Sequence, residues 1–411
     1  MALLKDRRGG AHSGSYNRAG GRNGIAVGLV AAAALVLAGG GGAGRSSEHV
    51  IVVNSTLDQR DLTPADGVCS ALTLHGRACT LRAAVETANA RRATKYVIVF
   101  KKEPAVAYTP NFQLSHLSGD LDLPAYKRDL DITTADLKIV GEGPKNTILD
   151  AAGVDRFFDV EPFSHLTLQN LTIEGGRPYG TVDNDGGGIR VAGTLDLYGV
   201  VLENNNARYG GGVYVVPGGA AKLTNTTLLH NVATRGAGIA VAGKAVLTNV
   251  TIAGNNSVIY GGGIEVANCN VYKGGALPPT CTVPGQATLL HVTITGNTGV
   301  HADAISLQQG TAFGMRGSIV AGACQFLGLQ LFPGRNVLTS DTCGSDPVVA
   351  DPGLLPLGGA RGGIPTVGLA SSSPAIDFAF ANSCPKVDAR GFVRPIGAGC
   401  DSGAYEAGSH P

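Results

Sequence analysis

The feature that most constrains this chain is an internal repeat. A short β-branched run recurs at 170–176, 199–205, 225–231, 249–255 and 291–297, and residues 316–322 form a decayed sixth copy. Each of the first five copies is followed by a second element, which reads Gly-Gly-Gly-Ile in two copies and a variant of it in the other three, at 186–191, 210–215, 236–241, 261–266 and 302–307. Repeats of this length predict a solenoid, because only stacking buries the apolar face of each repeat.

The spacing of the apolar anchors gives the length of one coil. The anchors are Ile173, Leu202, Leu228, Ile252, Ile294 and Ile319, which lie 29, 26, 24, 42 and 25 residues apart. The long interval contains Cys269 and Cys281, which we expect to close a side loop. Apolar residues alternate within short runs, as half-buried strands require. We predict an all-β fold, a single-stranded right-handed parallel β-helix (β-solenoid) with coils about 4.8 Å apart.

One asparagine column runs through the repeats. It consists of Asn205, Asn231, Asn255 and Asn297, with Gly176 at its start. Asparagine tolerates the left-handed backbone region, and stacked side-chain amides can hydrogen-bond along the helix axis. An internal turn ladder is the favoured interpretation, and a binding ladder is the alternative.

The two ends of the solenoid need caps, because end coils expose strand edges and core. Residues 80–92 have helical spacing, with Thr80 as N-cap and an i, i+4 pair of Arg82 and Glu86. The apolar face of this helix would consist of Leu81, Ala84, Val85 and Ala88. We predict an N-terminal amphipathic capping helix and, from about residue 345, a loop-rich C-terminal cap.

The N-terminus has the features of an export signal. Basic residues precede an apolar run at 25–38, which has the length of a signal-peptide core and is short for a membrane span. Cleavage is expected near Ala43, and an uncleaved anchor is the alternative. We expect an export segment at 1–44, an N-terminal cap at 45–110, β-helix repeats at 111–344 and the C-terminal cap at 345–411. The protein would be secreted or on the cell surface, with no stable membrane span after cleavage.

Eight cysteines fit an oxidising compartment. They form four sequence-local pairs, Cys69/Cys79, Cys269/Cys281, Cys324/Cys343 and Cys384/Cys400. No CxxC spacing is present, so the pattern favours disulfides over zinc.

The end segments resemble those of secreted bacterial β-helix proteins. Residues 53–56 and 79–89 resemble the N-terminal CSLREA motif, with Thr80 in place of its Ser and Ala83 in place of its Glu. Residues 373–377, 388–391, 394–395 and 400–406 resemble the C-terminal region of choice-of-anchor proteins, and the Gly-Gly-Gly-Ile repeats resemble those of polymorphic outer-membrane proteins. The resemblance covers about residues 50–406 and implies a right-handed β-helix, export and surface exposure, but no single activity. Since no apolar tail or sorting motif follows residue 406, we expect no anchor there.

Stacking turns equivalent positions into rows. The first row is Asp185, Tyr209, Arg235, Tyr260 and His301, and the second is Arg190, Tyr214, Ala240, Glu265 and Ser306. Polar aromatic and charged groups on an extended face suit a chain-like glycan, because tyrosine rings stack on sugar faces and arginine pairs with carboxylates. The predicted binding residues are Asp185, Arg190, Arg208, Tyr209, Tyr214, Arg235, Tyr260, Glu265 and His301.

Two classes of function compete. One is a secreted or cell-surface protein whose extended face binds glycan, envelope or partner protein. The alternative is a polysaccharide-active enzyme, foremost a uronate lyase, with Arg235 or Arg208 neutralising the carboxylate. The candidate catalytic residues are Arg235, His301, Tyr260, Tyr209 and Asp185. A glycoside hydrolase would need two carboxylates, from Asp183, Asp185, Glu174, Glu203 and Glu265. A structural interpretation also stays open, in which these are solvent-facing residues beside glycine turns.

We expect no cofactor and no committed metal site. Weak calcium candidates are Asp183 with Asp185, and Asp58 with Asp61. A formal net charge of +1 argues against nucleic acid as a partner, because phosphate binding needs a concentrated basic face. The expected partner is a polysaccharide or cell-envelope component, and the expected state is a monomer.

Overall fold

The computed structural model describes residues 48–73, 76–92, 94–101, 112–115, 129–179, 184–268, 284–344, 346, 349, 351–359 and 363–408. Predictions for the export segment at 1–44, for the Cys269–Cys281 pair and for Asp183 lie outside these residues. Among the described residues, no helix has the length and apolarity to cross a membrane.

The N-terminal part combines short strands with one helix. Its elements are β1 (His49–Val53), β2 (Ala71–Thr73), β3 (Gly76–Ala78), α1 (Leu81–Ala90), β4 (Tyr96–Phe100) and β5 (Phe112–Ser115), with a 3-10 turn at Pro64–Asp66. The side chain of Thr80 caps α1 by accepting the N–H of Ala83, as predicted. The predicted pair of Arg82 and Glu86 is wrong, because Arg82 binds Asp58 and Glu86 binds Arg60.

The strands of the coils follow in a regular order. They are β6 (Leu130–Ile132), β7 (Leu137–Val140), β8 (Thr147–Asp150), β9 (Phe158–Val160), β10 (His165–Glu174), β11 (Ile189–Val191), β12 (Thr194–Glu203), β13 (Asn206–Tyr209), β14 (Val213–Val215), β15 (Ala220–Leu229), β16 (Val232–Arg235), β17 (Ile239–Val241), β18 (Lys244–Ala253), β19 (Asn256–Tyr260), β20 (Ile264–Val266), β21 (Gln286–Leu290), β22 (Thr293–Thr295), β23 (Thr298–Gly299), β24 (Ile305–Leu307), β25 (Ala312–Arg316), β26 (Ile319–Val320), β27 (Cys324–Phe326), β28 (Leu329–Gly334) and β29 (Val337–Leu338). The C-terminal segment adds β30 (Leu354–Gly359), β31 (Pro365–Leu369) and 3-10 turns at Asp341–Cys343 and Ala381–Ser383.

These strands stack into parallel sheets. The first sheet has the order β1-β4-β7-β10-β12-β15-β18-β21-β25-β28, with β5, β8, β22, β26 and β29 joined at its side. The second sheet has the order β6-β9-β11-β14-β17-β20-β24-β27, and the third has the order β13-β16-β19-β23. Each central coil contributes one strand to each sheet in turn, so neighbours in a sheet are successive coils. The predicted parallel β-helix is therefore confirmed; parallel crossovers are almost always right-handed.

The inward rows form one continuous core. The anchors Ile173, Leu202, Leu228, Ile252 and Ile294 pair in register and are fully buried. The sixth anchor was misplaced by one residue, because Ile294 pairs with Val320 rather than with Ile319. A shift of one residue turns a side chain to the other face of a strand, so Ile319 points outward.

The asparagine column is an internal ladder, as the favoured interpretation predicted. The Nδ2 atoms of Asn205, Asn231 and Asn255 each donate to Oδ1 of the next asparagine at 2.9–3.0 Å, and Asn297 ends this series. All four are buried, and each Oδ1 also accepts a backbone N–H from the preceding coil. The amides thereby satisfy the polar groups of a turn that has no access to water.

The C-terminal segment packs along the side of the coils. Thr227 Oγ1 donates to the carbonyl of Pro365 at 2.6 Å, and Asn249 Nδ2 donates to that of Val387 at 2.7 Å. Ile319 joins Leu369 and Ala375 in a small apolar cluster beneath this segment. The segment therefore covers part of the outer face of the first sheet, where it contacts polar side chains and Ile319.

The residues that carry the C-terminal resemblance hold this segment together. Arg390 binds Asp388 Oδ2 through two nitrogens at 2.6 and 2.8 Å and donates to the carbonyl of Glu406. The Glu406 carboxylate accepts the N–H groups of Ile396 and Asp401. Their role in this structure is to fix a buried polar network.

Three of the predicted cysteine pairs are disulfides. They are Cys69–Cys79, Cys324–Cys343 and Cys384–Cys400. Each closes a short loop at an end of the solenoid or within the C-terminal segment, where the regular ladder provides less support.

Candidate functional site

The predicted rows meet at a corner between the second and third sheets. The chain passes from one sheet to the other through glycine-rich turns such as Gly210–Gly212, where Gly210 has φ +63°. A Cβ atom on Gly211 would lie 2.5 Å from the carbonyl oxygen of Val232, so the turn has no room for a side chain. Outward side chains of the two sheets therefore reach each other. We call this region the corner groove, with members Asp159, Asp185, Arg190, Arg208, Tyr209, Tyr214, Arg235, Tyr260, Glu265 and His301.

The second row forms the floor of the corner groove. Arg190, Tyr214, Ala240, Glu265 and Ser306 pair in register along β11, β14, β17, β20 and β24. Tyr214, Ala240, Glu265 and Ser306 are buried, so the interpretation of this row as solvent-facing is wrong. Burial also raises the pKa of the Tyr214 hydroxyl, which therefore stays protonated.

The first row forms a stack along the rim. Tyr209 is in register with Arg235, and Arg235 with Tyr260. The Arg235 guanidinium carbon lies 4.5 Å from the centre of the Tyr260 ring, and the His301 ring stacks on Tyr260 at 4.7 Å. Arg208 lies in the same way 4.6 Å over Tyr209. The ring faces are thus largely used by neighbours in the stack.

Each arginine of the corner groove also holds a carboxylate. Arg208 binds Asp185 through two bonds of 3.1 Å, and Arg190 binds Asp159 at 2.9 and 3.2 Å. Arg235 Nε lies 2.9 Å from Oε1 and 3.0 Å from Oε2 of the fully buried Glu265. Gln308 donates a further bond of 3.2 Å to that carboxylate. Charges in this region are therefore locally compensated.

A group of three carboxylates lies at the N-terminal end of the second sheet. Oxygens of Asp129, Asp131 and Asp159 lie within 4.8 Å of one another, close enough to hold a metal ion. Arg156 lies 2.8 Å from Asp129, and Arg190 binds Asp159, so guanidinium groups already supply positive charge. Burial raises the pKa of Asp129 to about 8, against the opposing effect of Arg156.

The calcium candidates have other partners. Asp185 binds Arg208, and Asp58 binds the buried Arg82 at 2.8 Å. Asp61 accepts the Thr87 hydroxyl and the N–H of Thr63. These carboxylates bind groups of the N-terminal cap and of the corner groove. The structure therefore does not support calcium binding at Asp58, Asp61 or Asp185.

A second carboxylate group contains Glu174 and Glu203, two of the hydrolase candidates named from the sequence, together with Asp150, which was not predicted. Asp150 is in register with Glu174, and Glu174 with Glu203, so three carboxyl groups lie on successive coils. Within the described part of the chain, the carboxyl groups of Glu174 and Glu203 form no ion pair and accept no hydrogen bond. Burial raises the pKa of both; neighbouring carboxylates raise that of Glu174 further, and His230 opposes the shift of Glu203. We call Asp150, Glu174 and Glu203 the carboxylate column.

One solved structure is similar to this chain, at low sequence identity. No protein-family model and no curated protein matches the chain. Among solved structures, the chain is similar to a doubly substituted pectate lyase from Xanthomonas campestris, with a TM-score of 0.30 and 12% identity over 72% of this chain and 82% of that chain. This likeness is too distant to transfer an activity.

Proposed function

We propose that this chain is a secreted or cell-surface β-helix protein that binds a neutral glycan without cleaving it, along the rim of the corner groove. The observation that carries the proposal is the stack of Arg235, Tyr260 and His301. Tyr260 is half-buried, His301 is exposed, and the polar atoms of both rings have no hydrogen-bond partner among the described residues. A rigid row of donors and acceptors repeated along successive coils suits the hydroxyl groups of a sugar chain.

Charge compensation favours a neutral ligand over a uronate. The guanidinium groups of Arg190, Arg208 and Arg235 each donate at least two hydrogen bonds to a carboxylate of the protein. A uronate would have to compete with Glu265 or Asp185 for these groups, at the cost of leaving a protein carboxylate without its guanidinium.

The same geometry weighs against a lyase in this groove. A β-elimination needs a cation facing the substrate carboxylate and a base at the C5 proton. Arg235 is directed to the buried Glu265, and Arg208 to Asp185. Both arginines next to the candidate acid–base groups therefore already bind protein carboxylates, so neither is positioned to neutralise the carboxylate of a uronate.

The test is calorimetric titration of the protein with a panel of neutral and acidic polysaccharides. We expect binding of a neutral member and no unsaturated product in ultraviolet absorbance. Tyr260→Ala and His301→Ala should each weaken binding by about fivefold to tenfold, as for loss of one hydrogen-bonding ring. Tyr198→Ala, on the outer face of the first sheet, is the matched control. Preferred binding of uronates, or binding unaffected by both groove variants, would contradict the proposal.

Glycoside hydrolysis is a second candidate, supported by the carboxylate column. Hydrolysis needs one protonated carboxyl group as the acid and one ionised carboxylate near it. An environment that raises the pKa of a carboxyl group keeps it protonated, as the acid requires. Glu174 and Glu203 lie on successive coils with raised pKa values.

Release of reducing ends from the same polysaccharide panel tests this candidate. Glu174→Gln and Glu203→Gln should each abolish turnover, whereas the exposed Glu142→Gln should not. Absence of turnover in the unaltered protein across the panel would leave the binding function as the conclusion.

A further inference from the structure

The first sheet ends at an edge that is open to pairing. Within the described residues, β1 pairs only with β4. His49 N–H donates to the carbonyl of Lys95, and the carbonyl of Val53 accepts the N–H of Lys101. In a parallel ladder alternate residues face the same neighbour, so the backbone groups of Val50 and Val52 face away from β4.

This edge lacks the usual protection against pairing. The sequence of β1 is His-Val-Ile-Val-Val, with no proline, lysine or bulge. Natural proteins usually guard an edge strand with such features. The backbone groups of Val50 and Val52 are therefore available to pair with an added strand.

A cleft of about 370 Å³ lies against the open edge. Residues Val50–Val52 line one side, and Arg77 and Ala78 of β3 line the other. The cleft is closed at one end, where Asn54 N–H donates to the carbonyl of Cys79 and Asn54 Oδ1 accepts the N–H of Cys79. The Cys69–Cys79 disulfide holds the opposite wall in place.

The chemistry of the cleft defines its ligand. Large apolar side chains line it, and three of them are exposed: Val50 by 61%, Val52 by 47% and Val68 by 60%. Arg77 lies in its wall, and among the described residues its guanidinium group donates a single hydrogen bond, of 3.4 Å, to the Ser70 hydroxyl. An apolar peptide carrying one carboxylate complements these features in shape and charge.

We propose that the open edge of β1 takes up an extended apolar segment of a partner protein as an added β-strand, with an acidic side chain of that segment paired to Arg77. Main-chain bonds to Val50 and Val52 would supply affinity, and the apolar rim and Arg77 would supply selectivity. This site is independent of the corner groove and of any glycan.

The test uses the full chain and a fluorescein-labelled peptide, Thr-Val-Ile-Val-Asp, followed by fluorescence anisotropy. We expect saturable binding, and loss of binding when alternate peptide amides are N-methylated. Val52→Pro removes the outward N–H without removing a bond to β4, and should weaken binding by about tenfold. Arg77→Glu should invert the preference toward the same peptide with Lys in place of Asp. Val258→Ser, another exposed valine, is the control.

Several outcomes would overturn the proposal. One is equal binding of the N-methylated peptide, and another is an unchanged charge preference in Arg77→Glu, which does not alter β1. A dimer in sedimentation that forms without peptide uptake and dissociates in Val52→Pro would assign the edge to a second copy of the chain instead.

Discussion

Nδ1 of His291 lies 2.8 Å from a guanidinium nitrogen of Arg394, across 103 residues of sequence. A guanidinium group can only donate hydrogen bonds, so Nδ1 accepts and the imidazole is neutral. Burial, and then the charge of Arg394, lower the pKa of His291 to about 4; Arg316 acts in the same direction and the carbonyls of Asp401 and Ser383 oppose it. This contact joins the C-terminal segment to the coils.

The first prediction is that His291 makes the protein sensitive to acid. Its pKa is lower in the folded state, so the unfolded chain takes up a proton first and stability falls between about pH 6.5 and pH 4, by about 3 kcal/mol in total. His291→Asn should lack this contribution, because an amide does not take up a proton in this pH range. The backbone should tolerate the change, since Asn225 and Asn249 adopt the same left-handed conformation on preceding coils. Urea unfolding of both proteins across this range measures the difference.

The second prediction concerns the asparagine ladder. Asn255→Ala should lower the free energy of unfolding by about 3–5 kcal/mol, because it leaves several buried backbone groups without partners. The affected groups include the carbonyl of Leu228 and the N–H of Asn231. Asn256→Ala is the control, since Asn256 is exposed on the next position of the chain. Similar losses for both variants would show that the ladder contributes nothing specific.

The third prediction concerns the Arg235–Glu265 pair. Arg235→Ala leaves a fully buried carboxylate without its guanidinium and should cost about 3–5 kcal/mol. Glu265→Ala should cost less, because the partly exposed Arg235 can turn toward water. The double variant should lose less than the sum of the two single variants, as measured by a double-mutant cycle. Additive losses would indicate that the pair does not interact.

The fourth prediction concerns the carboxylate column. Because the pKa values of Glu174 and Glu203 are raised on folding, stability is lost as pH rises through these pKa values. Glu203→Gln should therefore raise the melting temperature at neutral pH and have little effect near about pH 3, where the carboxyl groups are protonated. Thermal unfolding at the two pH values provides the measurement, and an equal shift at both would contradict the electrostatic cause. If Glu203→Gln stabilises the protein and also abolishes the release of reducing ends, the carboxylate column is a functional site, because active sites often lower stability in favour of activity.

The repeat predicted much of the fold because each strand pairs with the equivalent strand of the next coil. The second elements at Ile189, Val213, Ile239, Ile264 and Ile305 pair in the predicted register. The capping of α1 by Thr80 was also predictable, since an N-cap bond involves residues three apart. The prediction was wrong for the sixth copy, where the repeat is irregular: Val320 rather than Ile319 is the inward residue. A shift of one residue exchanges the two faces of a strand.

The candidate site was predicted only in part. The rows of Tyr209, Arg235 and Tyr260 follow from equivalent positions, and the structure brings them together as expected. Their burial and ion pairs do not follow, because Arg235 meets Glu265 across two sheets and 30 residues. Glu174 and Glu203 were among the carboxylates named from the sequence, but their pairing with Asp150 in one column was not predicted, because Asp150 lies outside the obvious repeats.

The amino-acid sequence by itself determined the periodic part of this protein: the strands, their stacking order, the asparagine ladder and the local disulfides. These features depend on neighbours in the chain or on equivalent positions one coil away, which a repeat states directly. Only the tertiary structure decided how the sheets meet at the corner groove, where the C-terminal segment lies, and that His291 contacts Arg394. Those contacts depend on the angle between sheets and on the path of a segment without a repeat, and neither is encoded by local periodicity.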